Sequence, residues 1–186
     1  MGTPTHNYVF KALESYPYDL EEVMEALNYA LSYDEKDTMA LTLMGRVYGE
    51  KLYKYDEAIL YFKQALAENI RAFEAYIPYI NTLLWNEDYK EAEEFIDFGL
   101  TVKGADKAFL YLKKANLYEQ LKAYDKALEC VELAKEYTFN TDFMADIVIE
   151  KDRIKGKMPK KIKAKLEGQE KRKAKIAKKL KKSKKQ

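Results

Sequence analysis

The chain has 186 residues, 47% of them hydrophobic and 13% aromatic, which suffices for one cored domain and argues against wholesale disorder. Its only cysteine, Cys130, excludes an internal disulfide and a thiolate metal cluster, and no apolar run reaches the ~18 residues of a membrane span. The net charge of +2 conceals a segregation: 15 Lys+Arg against 28 Asp+Glu up to Glu150, then 18 against 3 from Lys151 onward.

From the N-terminus, Met1 to Phe10 carries neither a basic nor an apolar signal region, and His6 stands where a myristoylation signal needs Ser or Thr. A cytoplasmic protein is the expectation. Asn7 to Ser15 predicts a short helix with Val9, Phe10 and Leu13 apolar, stopped by Pro17, which disfavours helix in the residue before it. Asp19 to Ser32 predicts a second, with Leu20, Val23, Met24, Leu27 and Leu31 at spacings of three and four. Residues 1–37 form a divergent N-terminal unit.

A repeat follows. Tyr55-Asp56-Glu57-Ala58 returns as Tyr89-Lys90-Glu91-Ala92 and as Tyr124-Asp125-Lys126-Ala127, with the alanines 34 and then 35 residues apart. A fixed period of this length signals a solenoid of helix pairs, each too small to bury its apolar face alone. Seven residues after each motif alanine comes a small residue, Ala65, Gly99 or Ala134, on the same helix face. Such positions let a neighbouring helix approach closely. The motif therefore sets packing, and the three repeats occupy 38–140.

Beyond them, Thr141 is placed to cap a covering helix over 141–157 through Phe143, Met144, Ile147, Val148 and Ile154. Gly156 and Pro159 then punctuate the chain. Residues 158–186 have no aromatic residue and are lysine-rich, predicting a frayed basic helix that orders on a partner. Their basic residues include Lys160, Lys161, Lys163, Lys165, Lys171, Arg172, Lys173, Lys175, Lys178 and Lys179. Ile162, Leu166, Ile176 and Leu180 fall within an arc of about 80° on an ideal helix.

The helix pairs, with Gly45 and Ala115 at a small position and Tyr48 and Tyr118 three residues on, resemble the tetratricopeptide repeat (TPR) family over roughly 38–139. The resemblance implies an all-α, right-handed solenoid of antiparallel helix pairs, and a concave groove lined by the first helix of each repeat. Carried over by position, the groove residues are Thr42 and Arg46, with Met39 beside them; Glu74, Ile77, Asn81 and Trp85, with Leu84; and Phe109, Leu112 and Asn116, with Glu119. Asn81 and Asn116 are equivalent, and their amides can bond an extended peptide backbone or be satisfied locally. Trp85 is either an interface anchor or inter-repeat packing. The family's carboxylate clamp of lysine, asparagine and arginine is absent, since Thr42, Arg46 and Pro78 hold its positions. The first repeat has one residue extra between Tyr48 and Ala58, and Pro78 lies inside a first helix, where proline usually kinks.

Chemistry has little to stand on. His6 is the lone histidine, no phosphate loop or nucleophile motif occurs, and no metal or cofactor is expected. Cys130, beside Val131, reads as a partly buried structural thiol in preference to a redox sensor, since nothing basic adjoins it in sequence. The expected function is a non-enzymatic adaptor that holds a protein or peptide partner in the groove. The alternative is a factor associated with RNA, ribosome or DNA through the basic tail. The tail also admits two further readings: a mobile solubilising segment, or self-association with the acidic body.

Overall fold

The computed structural model describes residues 4–164, together with 166 and 168. All regular secondary structure among the described residues is helical: α1 (Pro4–Ser15), α2 (Leu20–Tyr33), α3 (Thr38–Arg46), a π-helical segment (Val47–Lys51), α4 (Tyr55–Glu68), α5 (Phe73–Trp85), α6 (Tyr89–Thr101), α7 (Lys107–Gln120), α8 (Tyr124–Tyr137) and α9 (Thr141–Lys157). The chain divides into two compact units between Lys113 and Lys114, within α7.

In the first unit the helix starts follow from short acidic residues. Asp19 accepts from the Glu22 N–H at 3.0 Å and Asp37 from the Ala40 N–H at 2.8 Å, so each satisfies a donor that has no intrahelical partner. Helix α1 packs on α2, α2 on α3, α3 on both α4 and α5, and α5 on α6. The motif alanines Ala58 and Ala92 and the later Ala65 have no exposed surface. Gly99 is needed for its size: a Cβ there would stand 3.1 Å from the Tyr76 ring and 3.2 Å from Leu110. An aromatic ladder, Phe62 to Tyr79 (5.7 Å between centroids), Tyr79 to Phe95 (4.8 Å) and Phe95 to Tyr76 (5.0 Å), ties α4, α5 and α6 together.

The extra residue of the first repeat is absorbed in one place. Between Tyr48 and its φ-positive turn residue Tyr53 stand four residues, where the other repeats have three between Leu83 and Glu87 and between Tyr118 and Lys122. The end of the first helix widens accordingly into the π-helical turn Val47–Lys51, with the Leu52 N–H reaching the Val47 carbonyl at 3.1 Å. The phase of Ala58 against the core is thereby kept, because the insertion is spent in the turn.

Pro78 does not divide its helix: α5 runs from Phe73 to Trp85, and the Thr82 hydroxyl donates to the Pro78 carbonyl at 2.9 Å.

In the second unit Ala127, Val131 and Ala134 are fully buried on α8, and Cys130 is buried beside them. Helix α9 packs on α8, and its Ile147 and Ile154 are fully buried. Its cap is Asn140 and not the expected Thr141: the Asn140 side chain accepts from the Asp142 and Phe143 N–H groups at 2.9 and 3.1 Å. Thr141 is the first helical residue. Asn precedes it and has the better cap geometry, so the cap moves back by one position.

Candidate functional site

The groove positions divide into those committed to internal contacts and those left accessible. On α3, Thr42 is buried, its hydroxyl without a hydrogen-bond partner among the described residues. Arg46 is half-buried. Its guanidinium lies 4.6 Å from the centre of the Tyr16 ring, and its Nε donates to Glu50 at 3.1 Å. Tyr16 in turn donates its hydroxyl to the other Glu50 oxygen at 2.5 Å. Burial first, and then this bond to a carboxylate, push the Tyr16 hydroxyl up to about 12. The segment after α1 thus occupies Arg46.

On α5 the picture differs. Glu74 and Trp85 are exposed, and Ile77 and Asn81 are half-buried. Trp85 leans on Tyr55 of the motif, with centroids 6.2 Å apart, while 47% of its surface remains in solvent, so it packs and is accessible at once.

Ile77 and Phe109 open into a cavity of about 250 Å³, whose other walls are Phe73, Tyr76, Ala105, Asp106 and Leu110. Helix α5 supplies three of these residues at spacings of three and four, and the start of α7 supplies Phe109 and Leu110. The pocket keeps its shape because its polar groups are already fixed. Tyr76 donates its hydroxyl to the Ile70 carbonyl at 2.7 Å, and Asp106 accepts the Phe109 N–H at 3.0 Å as the cap of α7. The volume is below the roughly 300–1,000 Å³ of small-molecule sites, and suits a single side chain better than a cofactor. The groove positions read from sequence thus included two of its walls. Phe73 and Tyr76 share the face of Ile77 at helical spacing, which was the available signal. Ala105 and Asp106 come from a turn, where periodicity carries no information.

In the second unit the groove-assigned face of α7 meets its own helix α9. Glu119, 8% exposed, takes both Arg153 nitrogens, Nη1 and Nη2, at 2.6 Å, and Lys157 at 3.0 Å. Arg153 is also held by Glu150. Burial opposes ionisation of Glu119, but Arg153 and then Lys157 outweigh it and hold the carboxyl below its ordinary value. Leu112 of the first unit is buried, and Asn116 is half-buried with its amide oxygen enclosed and without a partner among the described residues.

Of the basic tail, Lys160, Lys161 and Lys163 are exposed. Lys165, Lys171, Arg172, Lys173, Lys175, Lys178 and Lys179 lie outside the residues whose side chains are described. Among the described residues no group of His, Cys, Asp and Glu is arranged to hold a metal ion, and no helix is long and apolar enough to cross a membrane.

Helix pairs recurring at a fixed period, with small residues at buried positions and a pocket beside the first helices, define an all-α helical-repeat fold. The particular repeat is similar to the tetratricopeptide repeat, in one stretch of sequence and in its solenoid fold. Over 64 residues it is 36% identical to a TPR repeat-containing protein of Methanocaldococcus jannaschii, a match spanning 34% of this chain and 19% of that one. This chain therefore covers about a fifth of the length of that relative. In fold it is similar to a MamA double mutant of strain RS-1, with TM-score 0.62, 16% identity, and coverage of 83% of this chain and 96% of that one. It is similar also to MamA residues 41 to the end from Desulfovibrio magneticus RS-1, with TM-score 0.61, 20% identity, and coverage of 74% and 77%. No family model matches the chain.

Proposed function

We propose that the chain is a non-enzymatic adaptor that holds a peptide or helix of a protein partner against the first helices of its repeats. The observation that carries this reading is the apolar pocket between α5 and the start of α7, with the exposed Phe109 among its walls. A preformed pocket on rigid helices takes an anchoring side chain at low entropic cost, and anchors of this kind dominate interface energetics. Asn81 is half-buried on the same helix, where its amide can meet the partner's backbone. We assign residues 1–37 as a divergent leading unit, 38–140 as the repeats and 141–157 as a cover.

The experiment is affinity capture from lysate with the wild-type chain and with Ile77→Ala/Phe109→Ala, melting curves being recorded for both. Partners held by the wild type and lost by a folded variant support the reading. Equal recovery overturns it.

A second reading rests on the contrast between the ion-paired Lys151, Arg153 and Lys157 and the exposed Lys160, Lys161 and Lys163. In it the tail beyond α9 contacts nucleic acid or the ribosome by charge alone. Such binding falls steeply with salt, and RNA affinity indifferent to salt sinks it.

A further inference from the structure

The pocket also carries information about what fills it. Among its seven walls are three aromatic residues, Phe73, Tyr76 and Phe109, and one carboxylate, Asp106. Phe73 and Tyr76 meet edge to face at 5.4 Å, so their arrangement is set before any ligand arrives. Of the Asp106 carboxylate, Oδ1 accepts the Phe109 N–H, and a carboxylate keeps further acceptor positions after one such bond. Of the cations close by in sequence, Arg71 donates to the Lys103 carbonyl at 3.2 Å, and Lys107 has an interaction of its own. The unit that holds the pocket carries 20 Asp+Glu against 11 Lys+Arg up to Lys113, a net of −9.

An apolar, aromatic-walled cavity with one acid among its lining residues, in a unit of net charge −9, matches a side chain that is apolar along its stem and cationic at its tip. Lysine and arginine are the two such side chains: their methylenes pack on apolar surface, their heads seek a carboxylate, and cations are attracted to aromatic rings. A phenylalanine or leucine anchor would fill the volume but make no use of the Asp106 charge. An acidic anchor would be repelled. The second unit carries a pairing of the same chemistry within the chain, where Arg153 and Lys157, one helical turn apart on α9, both meet the carboxylate of Glu119.

We infer that the pocket binds a lysine or arginine side chain borne by a basic segment of the partner protein, with the stem against Ile77, Phe109 and Leu110 and the head at Asp106. This rests on the adaptor reading above and names the partner's chemistry.

The probe is a fluorescein-labelled 16-residue peptide with the sequence of residues 171–186, which holds 10 Lys+Arg and no acid. Its binding to the full chain is followed by anisotropy, beside an analogue with every Lys and Arg replaced by Glu. The expected result is that the basic peptide binds and the acidic one does not. Affinity should fall roughly tenfold in Phe109→Ala, the scale of losing an anchor contact. It should fall also in Asp106→Asn, which keeps the helix cap while removing the charge. Unchanged binding by Asp106→Asn overturns the inference. If the acidic peptide binds and Phe109→Ala weakens it, the inference fails while the adaptor reading stands. Binding that ignores Phe109→Ala in both peptides removes both. If the basic peptide binds only after the chain's own residues 171–186 have their lysines replaced by Gln, the occupant is the chain's own segment, and the assignment to a partner is overturned.

Discussion

The backbone N–H of Lys54 donates to the carbonyl of Tyr48 at 2.9 Å, six residues back, whereas Asp88 and Ala123 reach back five, to Leu83 and Tyr118. All three bonds close the first helix of a repeat over a residue of positive φ: Tyr53 at 55°, Glu87 at 62° and Lys122 at 57°. The additional residue in the first repeat is the π-helical one, so an insertion visible as a count of residues becomes one wider turn.

None of the three left-handed turn residues is glycine, although that conformation costs an L residue about 1–2 kcal/mol. Lys122→Gly should therefore stabilise the chain by about 0.5–1 kcal/mol, the steric gain being partly offset by a freer unfolded chain. Chemical denaturation measures this directly, and a lower midpoint would show that the Lys122 side chain does more than fill a turn.

Two glycines should respond oppositely to alanine. A Cβ on Gly45 would stand 2.8 Å from the Phe62 ring, which is itself fully buried, so Gly45→Ala should cost about 1–3 kcal/mol by overpacking. Around Gly156, near the end of α9, nothing lies within 4 Å, and Gly156→Ala should stabilise by up to about 1 kcal/mol through helix propensity. Thermal melts of the two variants in parallel check the pair. The packing role of the motif alanine gives the same scale: Ala92→Leu should lose about 1–3 kcal/mol, whereas substitution of the exposed groove residue Glu74 should be near neutral.

Asp106 has two roles that substitutions can separate. Asp106→Ala removes the acceptor of the Phe109 N–H and should lower stability by about 1 kcal/mol, whereas Asp106→Asn retains an acceptor and should leave the melting temperature close to wild type. Equal losses in both would mean that its charge, and not its cap, matters to folding.

The Glu119 carboxyl is held below the ordinary 4.5 by Arg153 and Lys157 in spite of its burial. A carboxylate whose folded value is depressed stabilises the native state above its unfolded value, and that contribution disappears as pH falls through the lower folded one. Glu119→Gln should thus cost about 1–3 kcal/mol at neutral pH. The difference from wild type should shrink below pH ~4.5. Denaturation midpoints across pH 2–7 test this, and a pH-independent difference would contradict it.

The period of the repeat, the two helices per unit and the small residues at their contacts are legible in the chain alone. Each depends on spacing within one helix, and a helix's own geometry dictates which residues share a face. Thus Ala58, Ala65, Ala92, Ala127 and Ala134 all lie fully buried, as their spacing implies. What lands on such a face is a different matter. Arg46 is met by Tyr16, which belongs to the divergent leading unit, and Glu119 is met by Arg153 from α9, outside the repeats. The pocket borrows Asp106 and Ala105 from a turn. These contacts join residues far apart or outside the period, and only packing decides them. Period determined the scaffold; tertiary structure decided which parts of its inner face remain free.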